Sequence, residues 1–529
     1  MSKVEAEKKC EEEEDKAKGG ELLFCGATSW DTVGRKKTSE EGNLYSPTRL
    51  RPLVGVDIRY VASGCVSCHC VALDVKGRCY TWGRNERGQL GQGDTLQRDR
   101  PTVVSELSKC KIIGADAGRS HTVVVTEDGQ SLAFGWNKHG QLGCGSSKNE
   151  VESSPVRCLV SEVKNVTCGG EFTVWLSSVP GSSILTAGLP QYGQLGHGTD
   201  NEYNTKDSSV RLAYEAQPRP KAIASLAGEA IVKVACGTNH TVAVDSNGYV
   251  YTWGFGGYGR LGHREQKDEW LPRRVDVFQR HNVLPPDAVV SAGAVNSACT
   301  AAGGQLYMWG KLKNTGDDWM YPKPLMDLSG WNIRCMDSGN MHHFVGADSS
   351  CISWGHAQNG ELGYGPNTQK SSAVPKKVEI LDGMHVISVA CGLAHSMVVV
   401  DRTDVVDRLD QLDVYDGKAS GEEGSEVPAM PNSAKRPAKK GVGSRATAEN
   451  RNKRKKSSNE TSESEGGDED SEDESEEDGE ASNGRVEKKR HGRAKAAGKP
   501  RSEKGRGRTV EKKSSQNSRG KGKRGRPRK

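Results

Sequence analysis

The chain has 529 residues, and its composition divides it into two unlike parts. All 29 aromatic residues lie before Asn432. Residues 433–529 carry 30 Lys and Arg against 17 Asp and Glu, and subtracting these from the totals of 75 and 69 leaves 45 and 52 upstream. The net charge of +6 therefore combines a slightly acidic body with a strongly basic tail, and only the body has the apolar content to bury a core.

Several classes of protein are excluded by simple patterns. No run of eighteen apolar residues occurs, so no membrane span is predicted. Residues 1–20 are rich in Lys and Glu and contain no apolar stretch, so we expect a charged, disordered N-terminus and not a secretory signal. The 15 cysteines are an odd number, and some recur at one repeat position, which favours buried thiols over disulfides.

Taken in chain order, the body repeats a motif, or phrase, of the form Gly-x-x-His-Thr, which is followed by a run of β-branched residues. Because the histidine recurs once per repeat, we expect a structural role in which it bonds to the backbone of a neighbouring loop. Phe172 and Asn296 replace it in two copies. Its clearest copies carry His121, His240 and His395, and the seven copies start at Gly64, Gly118, Gly169, Gly237, Gly293, Gly339 and Gly392.

A second phrase follows, in which an aromatic strand ends in Trp-Gly and a glycine-rich loop closes on Gly-x-Leu-Gly. Asp128-Gly129 and Asn247-Gly248 are typical of tight hairpin turns, so each unit predicts an antiparallel sheet. We expect the tryptophans Trp82, Trp253, Trp309 and Trp354 to be structural. The seven glycines that end the strands are Gly26, Gly83, Gly135, Gly188, Gly254, Gly310 and Gly355.

The two ends of the body each hold half of a unit. Residues 21–26 form an aromatic strand without its own His-Thr phrase, and residues 386–400 form a His-Ser phrase without its own Trp-Gly. Joining them completes a seventh unit and removes the sheet edges. We therefore predict an all-β, seven-bladed β-propeller over residues 21–400, closed by pairing N- and C-terminal strands in one blade and monomeric. Residues 401–432 are predicted to be a linker with a short helix within 403–412.

The two motifs together resemble the repeat of the regulator-of-chromosome-condensation family, which combines Gly-x-x-His-Thr, an aromatic strand and Trp-Gly-x-Asn-x-x-Gly-Gln-Leu-Gly. Residues 24–35, 253–269 and 320–323 resemble its second, mitotic-type member. The chain departs from the family by its basic C-terminal segment and by losing Gly-x-Leu-Gly after Gly26 and Gly310. The resemblance implies a small Ras-like GTPase of the Ran, Rac or Ral type as partner. It also implies roles in chromosome segregation or microtubule organisation, with guanine-nucleotide exchange as an alternative activity.

Two motifs suggest cofactors, but both have structural explanations. Residues 65–69 match the haem-attachment pattern Cys-x-x-Cys-His, and Cys70 adds a zinc-type ligand, but no second ligand pair with zinc spacing follows. Residues 254–259 fit Gly-x-Gly-x-x-Gly, yet the inter-blade loop follows them where a nucleotide site needs a helix. We expect no metal, no cofactor and no covalent catalytic residues.

The longest spacing, 66 residues, separates Gly188 from Gly254, and the excess lies in residues 199–229. This segment is too polar for the core, and functional residues on a propeller concentrate in such insertions. The sequence therefore predicts a partner-binding loop, with an inert excursion as the alternative. Its candidate residues are Asn201, Glu202, Tyr203, Lys206, Asp207, Arg219 and Lys221.

The tail, residues 433–529, is predicted to be disordered because it has little apolar surface to bury against the entropy of ordering. An acidic block, residues 460–480, holds thirteen acids and no base, and Ser462, Ser471 and Ser475 are candidates for an acid-directed kinase. Two basic clusters predict a bipartite nuclear-import signal, hence the nucleus, with the cytoplasm and mitotic structures as further locations. They are Lys435, Arg436, Lys439 and Lys440, then Lys453, Arg454, Lys455 and Lys456.

The last residues resemble an AT-hook, in which Gly-Arg-Pro flanked by bases lies in the minor groove of A·T tracts. The five residues are Arg524, Gly525, Arg526, Pro527 and Arg528. We expect the tail to bind DNA or chromatin with steep salt dependence. RNA is the alternative for a tail rich in Arg and Gly.

Overall fold

A computed structural model describes residues 19–35, 41–204, 212–313 and 316–417 of the chain. These residues are almost entirely strands, turns and short 3-10 helices. None of their helices is both long and apolar enough to cross a membrane. The strands are β1 (Glu21–Gly26), β2 (Leu44–Leu50), β3 (Ile58–Ala62), β4 (His69–Asp74), β5 (Cys79–Gly83), β6 (Arg98–Val103), β7 (Ile112–Ala117), β8 (His121–Thr126), β9 (Ser131–Trp136), β10 (Val151–Arg157), β11 (Val163–Cys168), β12 (Phe172–Ser177), β13 (Ile184–Gly188), β14 (Glu202–Asn204), β15 (Leu212–Tyr214), β16 (Gln217–Ala222), β17 (Ile231–Cys236), β18 (His240–Asp245), β19 (Val250–Gly254), β20 (Glu269–Arg274), β21 (Val290–Ala292), β22 (Asn296–Thr300), β23 (Leu306–Gly310), β24 (Trp319–Pro324), β25 (Ile333–Ser338), β26 (His342–Ala347), β27 (Ser350–Gly355), β28 (Ser372–Lys377), β29 (Val386–Cys391), β30 (His395–Val400) and β31 (Val414–Tyr415).

The helical segments are short and lie between strands. The α-helix is α1 (Val406–Leu409), and the 3-10 helices are Arg51–Leu53, Ser105–Leu107, Ala224–Leu226, Gly257–Gly259, Arg280–Asn282, Ala302–Gly304, Met326–Leu328 and Glu379–Leu381.

Seven sheets form the blades of the predicted propeller, each with four antiparallel strands from the channel outward, and β31 adds a fifth, parallel strand to blade 7. Blade 3 is interrupted by the two-stranded hairpin β14–β15, and blade 7 draws its strands from both ends of the body. From the innermost strand, the blades are β3–β6 (blade 1), β7–β10 (blade 2), β11, β12, β13 and β16 (blade 3), β17–β20 (blade 4), β21–β24 (blade 5), β25–β28 (blade 6) and β29, β30, β1 and β2 (blade 7).

The two repeated phrases meet as cross-strand partners. In blade 2 His121 lies opposite Gly135, and in blade 4 His240 lies opposite Gly254. A Cβ on Gly135 would lie 2.4 Å from the Ser120 carbonyl oxygen, and its φ of 112° is a conformation that favours glycine. The repeat therefore requires glycine here because two backbones approach closely.

The core consists of apolar clusters between adjacent blades. Trp253 of blade 4, fully buried, packs with Phe172 and Val174 of blade 3. Trp309 of blade 5 packs with Val242 and Val244 of blade 4 in the same way. Burying such a ring contributes about 2–3 kcal/mol, so these contacts join each blade to its neighbour.

Blade 7 closes the ring as the sequence predicts. β1 pairs with β30 from Glu21 opposite Val400 to Gly26 opposite His395. Residues 401–417, which we call the C-terminal clasp, continue across this blade: α1 lies at Val406–Leu409, and β31 pairs in parallel with β2. The segment assigned to a linker thus begins, as far as Gly417, as a packed part of the propeller.

The blades surround a channel and present two faces. The connections before the second strand and after the third strand of each blade form one face, which we call the histidine face. The hairpins between second and third strands and the links between blades form the opposite hairpin face. The innermost strands of all seven blades line a central cavity of about 850 Å³.

Candidate partner-binding face

The recurrent histidines link five of the seven blades to the next blade through a hydroxyl group. His121 Nε2 lies 2.9 Å from Thr173 Oγ1 of blade 3, and Thr173 Oγ1 donates to the Gln141 carbonyl at 2.7 Å. Because the hydroxyl proton is used there, the histidine must be the donor. We call these recurrent residues the slot histidines. Their contacts with a hydroxyl group of the next blade are His69–Thr122 (2.8 Å), His121–Thr173 (2.9 Å), His240–Ser297 (2.8 Å), His342–Ser396 (2.9 Å) and His395–Ser63 (3.1 Å).

Burial keeps these histidines neutral. It lowers the pKa of His121 to about 4 and the pKa values of His69 and His395 to about 3. A Cβ on Gly118 would lie 2.2 Å from Cε1 of His121, which explains the glycine three residues before it. His121 bonds directly to the hydroxyl group of the next blade, and the backbone of Phe172 in that blade also lies close enough to His121 to oppose the lowering of its pKa.

Residues 65–69, which suggested haem or zinc, form a loop of the same kind. Ser67 Oγ lies 2.8 Å from His69 Nδ1, and Cys65 and Cys68 are separate buried thiols. In the described ranges, no three His, Cys, Asp or Glu side chains are grouped to hold a metal ion. Here the motif stabilises the loop that precedes β4.

The excursion in blade 3 is shorter than the sequence suggested. β14 and β15 form a hairpin outside the blade, with Glu202 exposed and Tyr203 51% exposed, and Asn201 has a positive φ of 50° at its start. Arg219 and Lys221, assigned to the excursion, lie instead on β16, the outermost strand of blade 3. The two prolines that made residues 217–221 resemble a loop are tolerated because an edge strand can lack donors. Lys206 and Asp207 lie outside the described residues.

A cluster that the sequence did not reveal forms between the loops after β13, β19 and β23, which carry Tyr192, Phe255 and Lys311. Tyr192 and Phe255 have ring centroids 4.7 Å apart. The Arg260 guanidinium lies 4.6 Å from the Phe255 ring centre and 5.5 Å from that of Tyr258, and Lys311 Nζ lies 4.6 Å above Tyr258. We call these five residues the aromatic patch. Phe255 and Tyr258 lie within the Gly-x-Gly-x-x-Gly motif, and Arg260 follows it directly.

Arg260 holds the aromatic patch in place. Its side chain is 2% exposed and donates to the carbonyl oxygens of Ala294 (2.7 Å) and Gly257 (3.0 Å). Arg260 stands where neighbouring repeats have Gln89, Gln141 and Gln194. That replacement, together with Phe255 and Tyr258 in a loop that is otherwise polar, is the signal in the sequence that could have identified the patch.

Apolar side chains cover the centre of the histidine face. The two extra residues after Gly64 place Cys65 and Val66 against Ala294 and Val295. Tyr258 of the aromatic patch and Met341 pack onto this cluster and are half-buried. The histidine face therefore combines an apolar centre with the aromatic patch, and the two meet at Tyr258.

The tail residues lie outside the described residues, so their assignments stay predictions. They are the import clusters (Lys435, Arg436, Lys439, Lys440, Lys453, Arg454, Lys455, Lys456), the phosphorylation candidates (Ser462, Ser471, Ser475) and the AT-hook-like end (Arg524, Gly525, Arg526, Pro527, Arg528).

These features define a closed seven-bladed propeller whose blades are joined by histidine–hydroxyl bonds and which presents one loop face for interaction. The family model "Regulator of chromosome condensation (RCC1) repeat" matches residues 76–125, 128–176, 183–244, 247–299 and 348–399. The chain belongs to the RCC1 repeat family.

Similar proteins support this assignment. Protein RCC2 of Homo sapiens is 38% identical over 403 residues, which cover 72% of this chain and 76% of the relative. Its homolog in Xenopus laevis is 38% identical over 418 residues, covering 74% and 80%. The resemblance to the second, mitotic-type member is thereby confirmed.

Solved structures share the fold. Yeast RCC1 (Prp20), bound to Kap60, has a TM-score of 0.59 and 19% identity, covering 75% of this chain and 93% of that one. Prp20p from Saccharomyces cerevisiae, described with its binding to Gsp1p and histones, has a TM-score of 0.56 and 18% identity, covering 75% and 96%. Human WBSCR16 has a TM-score of 0.58 and 20% identity, covering 72% and 99%.

Proposed function

We propose that this chain is a nuclear, chromatin-associated scaffold whose propeller binds a small Ras-like GTPase through the histidine face. The observation that carries the proposal is the aromatic patch, which contacts the apolar centre through Tyr258 on the same face as the β14–β15 hairpin. Aromatic and arginine side chains supply most of the binding energy of protein interfaces, surrounded by polar side chains that exclude water. Prp20p, which shares the fold, binds Gsp1p and histones, and so provides a precedent.

The hairpin offers the partner an exposed ring and an exposed carboxylate. Tyr203 is half exposed, and Glu202 lies next to it at the start of the hairpin. The carboxylate supports the alternative function, guanine-nucleotide exchange. Exchange needs no proton transfer, because a loop or an acidic side chain can displace the contacts of the GTPase with phosphate and magnesium. Roles in chromosome segregation or microtubule organisation would follow from either function.

Binding of the full chain to purified Ran-, Rac- and Ral-type GTPases tests the proposal. Deleting residues 200–215 removes the hairpin and spares β16, and Tyr192→Ala removes one ring of the aromatic patch. We expect each change to weaken binding by about tenfold or more. Met326→Ser is the matched control, because Met326 is 67% exposed on the hairpin face. Equal binding by all variants would exclude the histidine face.

Release of labelled nucleotide from the same GTPases separates the two functions. A scaffold binds without changing the release rate, whereas an exchange factor accelerates it. Glu202→Gln should slow an acceleration without abolishing binding. If no GTPase in the panel binds, the proposal for the partner fails.

The tail would hold this scaffold at chromatin. Its candidate import signal predicts that a reporter fused to residues 435–456 accumulates in the nucleus. Its AT-hook-like end predicts that the tail binds an A·T duplex and loses affinity steeply as salt rises. Phosphorylation of the acidic block adds about −1.5 to −2 charges at each site and should weaken that binding. Tighter binding to RNA than to the duplex would favour the RNA alternative.

A further inference from the structure

The central cavity is a blind well that opens on the hairpin face. The innermost strands start at the hairpin face and end at the histidine face. At the histidine end, Cys65 Sγ lies 3.6 Å from Thr238 Oγ1 of another blade. The apolar cluster around Val66 covers that end, so a ligand would enter from the hairpin face. Its volume of about 850 Å³ lies within the range of ligand pockets.

Two carboxylates lie near the closed end of this well. Asp116 of blade 2 and Asp337 of blade 6 occupy equivalent positions, one residue before the ends of β7 and β25. Asp116 accepts from the backbone N–H groups of Cys168 (2.7 Å) and Ala117 (2.9 Å), and Asp337 accepts from that of Cys391 (2.7 Å). Each aspartate thus bridges its blade to the next one.

These hydrogen bonds supply no counter-charge to either carboxyl group. No ion pair to either aspartate occurs among the described residues. Burial raises the pKa of Asp116 to about 6 and that of Asp337 to about 8, and Asp116 adds to the shift of Asp337. A cation bound between the two carboxyl groups would favour their ionised forms and so offset the cost of burying them.

A third polar group at this end is unsatisfied. Ser291 of blade 5 lines the same cavity and is 2% exposed. Its Oγ lies near enough to Asp337 to lower the pKa of that carboxyl, yet it has no hydrogen bond of acceptable geometry in the part of the chain that the structure describes. Buried hydroxyl groups in folded proteins nearly always have a partner. The closed end therefore offers an acceptor as well as two carboxylates.

The mouth of the well carries a net positive charge. Arg59, Lys233 and Arg334 lie near the starts of the innermost strands and line the cavity together with one acid, Asp287. Arg334 donates to the Val386 carbonyl at 2.8 Å, which fixes it at the rim. Arg334 and Asp337 are three residues apart on β25, which corresponds to about 10 Å along the strand.

We propose that the well binds an arginine-like zwitterion, with its guanidinium or ammonium group between Asp116 and Asp337 and its carboxylate at the basic mouth. Free arginine or lysine and the C-terminal arginine or lysine of a peptide carry this chemistry. In each of them the cationic group and the carboxylate lie at opposite ends of an extended side chain, as the two charged ends of the well do. This site is separate from the histidine face and does not depend on the proposed partner.

Calorimetric titration of the full chain with three related ligands tests the proposal. L-arginine carries both charges, agmatine lacks the carboxylate, and L-citrulline replaces the guanidinium by a neutral group. We expect L-arginine to bind, with L-citrulline weaker by about tenfold or more because the carboxylates lose their cation. Agmatine should bind with intermediate affinity. A peptide ending in arginine and its C-terminal amide then distinguish a free amino acid from a peptide terminus.

Variants at both ends of the well locate the site. Asp116→Asn and Asp337→Asn should each weaken L-arginine binding by about tenfold, and Ser291→Ala by less. Lys233→Gln should weaken L-arginine binding but leave agmatine unchanged. Asp128→Asn, on an exposed hairpin, is the matched control. If an aspartate variant does not fold, Ser291→Ala and Lys233→Gln still test the two ends. Absence of L-arginine binding, equal binding of L-citrulline, or unchanged binding by the variants would show that the aspartates only bridge blades.

Discussion

Two sets of buried polar groups join neighbouring blades, and they differ in their charge balance. The slot histidines are neutral, and each uses Nε2 to bond a hydroxyl of the next blade, as His121 does with Thr173. The channel aspartates accept backbone N–H groups of the next blade but keep raised pKa values. The histidines thus behave as interior scaffold, whereas Asp116 and Asp337 face open space. The difference indicates that a buried polar group without a counter-charge is the better candidate for a ligand site.

The largest effect should come from removing a slot histidine. His121→Ala loses the bond to Thr173 and leaves a cavity, so we expect the free energy of unfolding to fall by about 3–5 kcal/mol. His121→Phe should cost less, because Phe172 occupies the same slot of blade 3. Urea unfolding of both variants checks this order. A loss below about 1 kcal/mol for His121→Ala would contradict the scaffold role.

Breaking the bond from its other side isolates the hydroxyl. Thr173→Val keeps the side-chain shape but leaves the His121 Nε2–H and the Gln141 carbonyl unpaired. We expect a loss of about 2 kcal/mol in the free energy of unfolding. Thr102→Val on β6 is the control, because its hydroxyl is exposed and bonds only locally to the Arg100 carbonyl. The urea midpoints of the Thr173→Val and Thr102→Val variants are compared. Equal midpoints would show that the hydrogen bonds of the Thr173 hydroxyl contribute nothing to stability.

The two repeated motifs predicted the fold because their residues are required by the backbone geometry of each blade. Gly135 must be glycine because two strands approach closely there. The position of its cross-strand partner, His121, recurs together with the glycine in each repeat, so seven matched pairs of positions define seven blades. The joining of β1 to β30 followed from the half units at the two ends. These are local rules of sheet and turn geometry, and they are visible in a single sequence.

The site was predicted less well because it depends on which blades become neighbours. Residues 217–221 resembled a loop by composition, and only the pairing of β13 with β16 shows that Arg219 belongs to a blade. Asp116 and Asp337 are 221 positions apart in the sequence and meet only when the ring closes. Tyr192 and Phe255 likewise come from different blades.

A pH series sharpens the contrast between the two sets. The pKa of Asp337 is about 8 in the folded chain and about 3.9 when unfolded, so its ionisation is disfavoured by folding. The contribution of protonated Asp337 to the free energy of unfolding is therefore fully present below about pH 4 and is lost as the pH rises through about 8. Asp337→Asn stays neutral and should therefore gain about 1–2 kcal/mol over the natural chain between pH 5 and pH 9, a figure discounted for water in the channel.

Unfolding free energies of both chains at pH 5, 7 and 9 measure this difference. Asp116 remains in the variant, and its lower pKa confines its own contribution to pH values below about 7. A difference between the two chains that does not change with pH would contradict the raised pKa of Asp337.

The C-terminal clasp provides the smallest effect and tests whether closure depends on the ring or on the clasp. Arg402 donates to Glu21 Oε2 at 2.8 Å and also pairs with Asp57, and it is 24% exposed while Glu21 is buried. Arg402→Ala leaves that carboxylate without its cation, so we expect a loss of about 1 kcal/mol in the free energy of unfolding, reduced by solvent at the arginine.

Arg51→Ala is the control, because it breaks an exposed pair with Asp416 and should cost less than about 0.5 kcal/mol. Since β1 and β30 share six register pairs without the clasp, both variants should keep the closed blade. A loss from Arg402→Ala as large as that from His121→Ala would instead make the clasp the main closure.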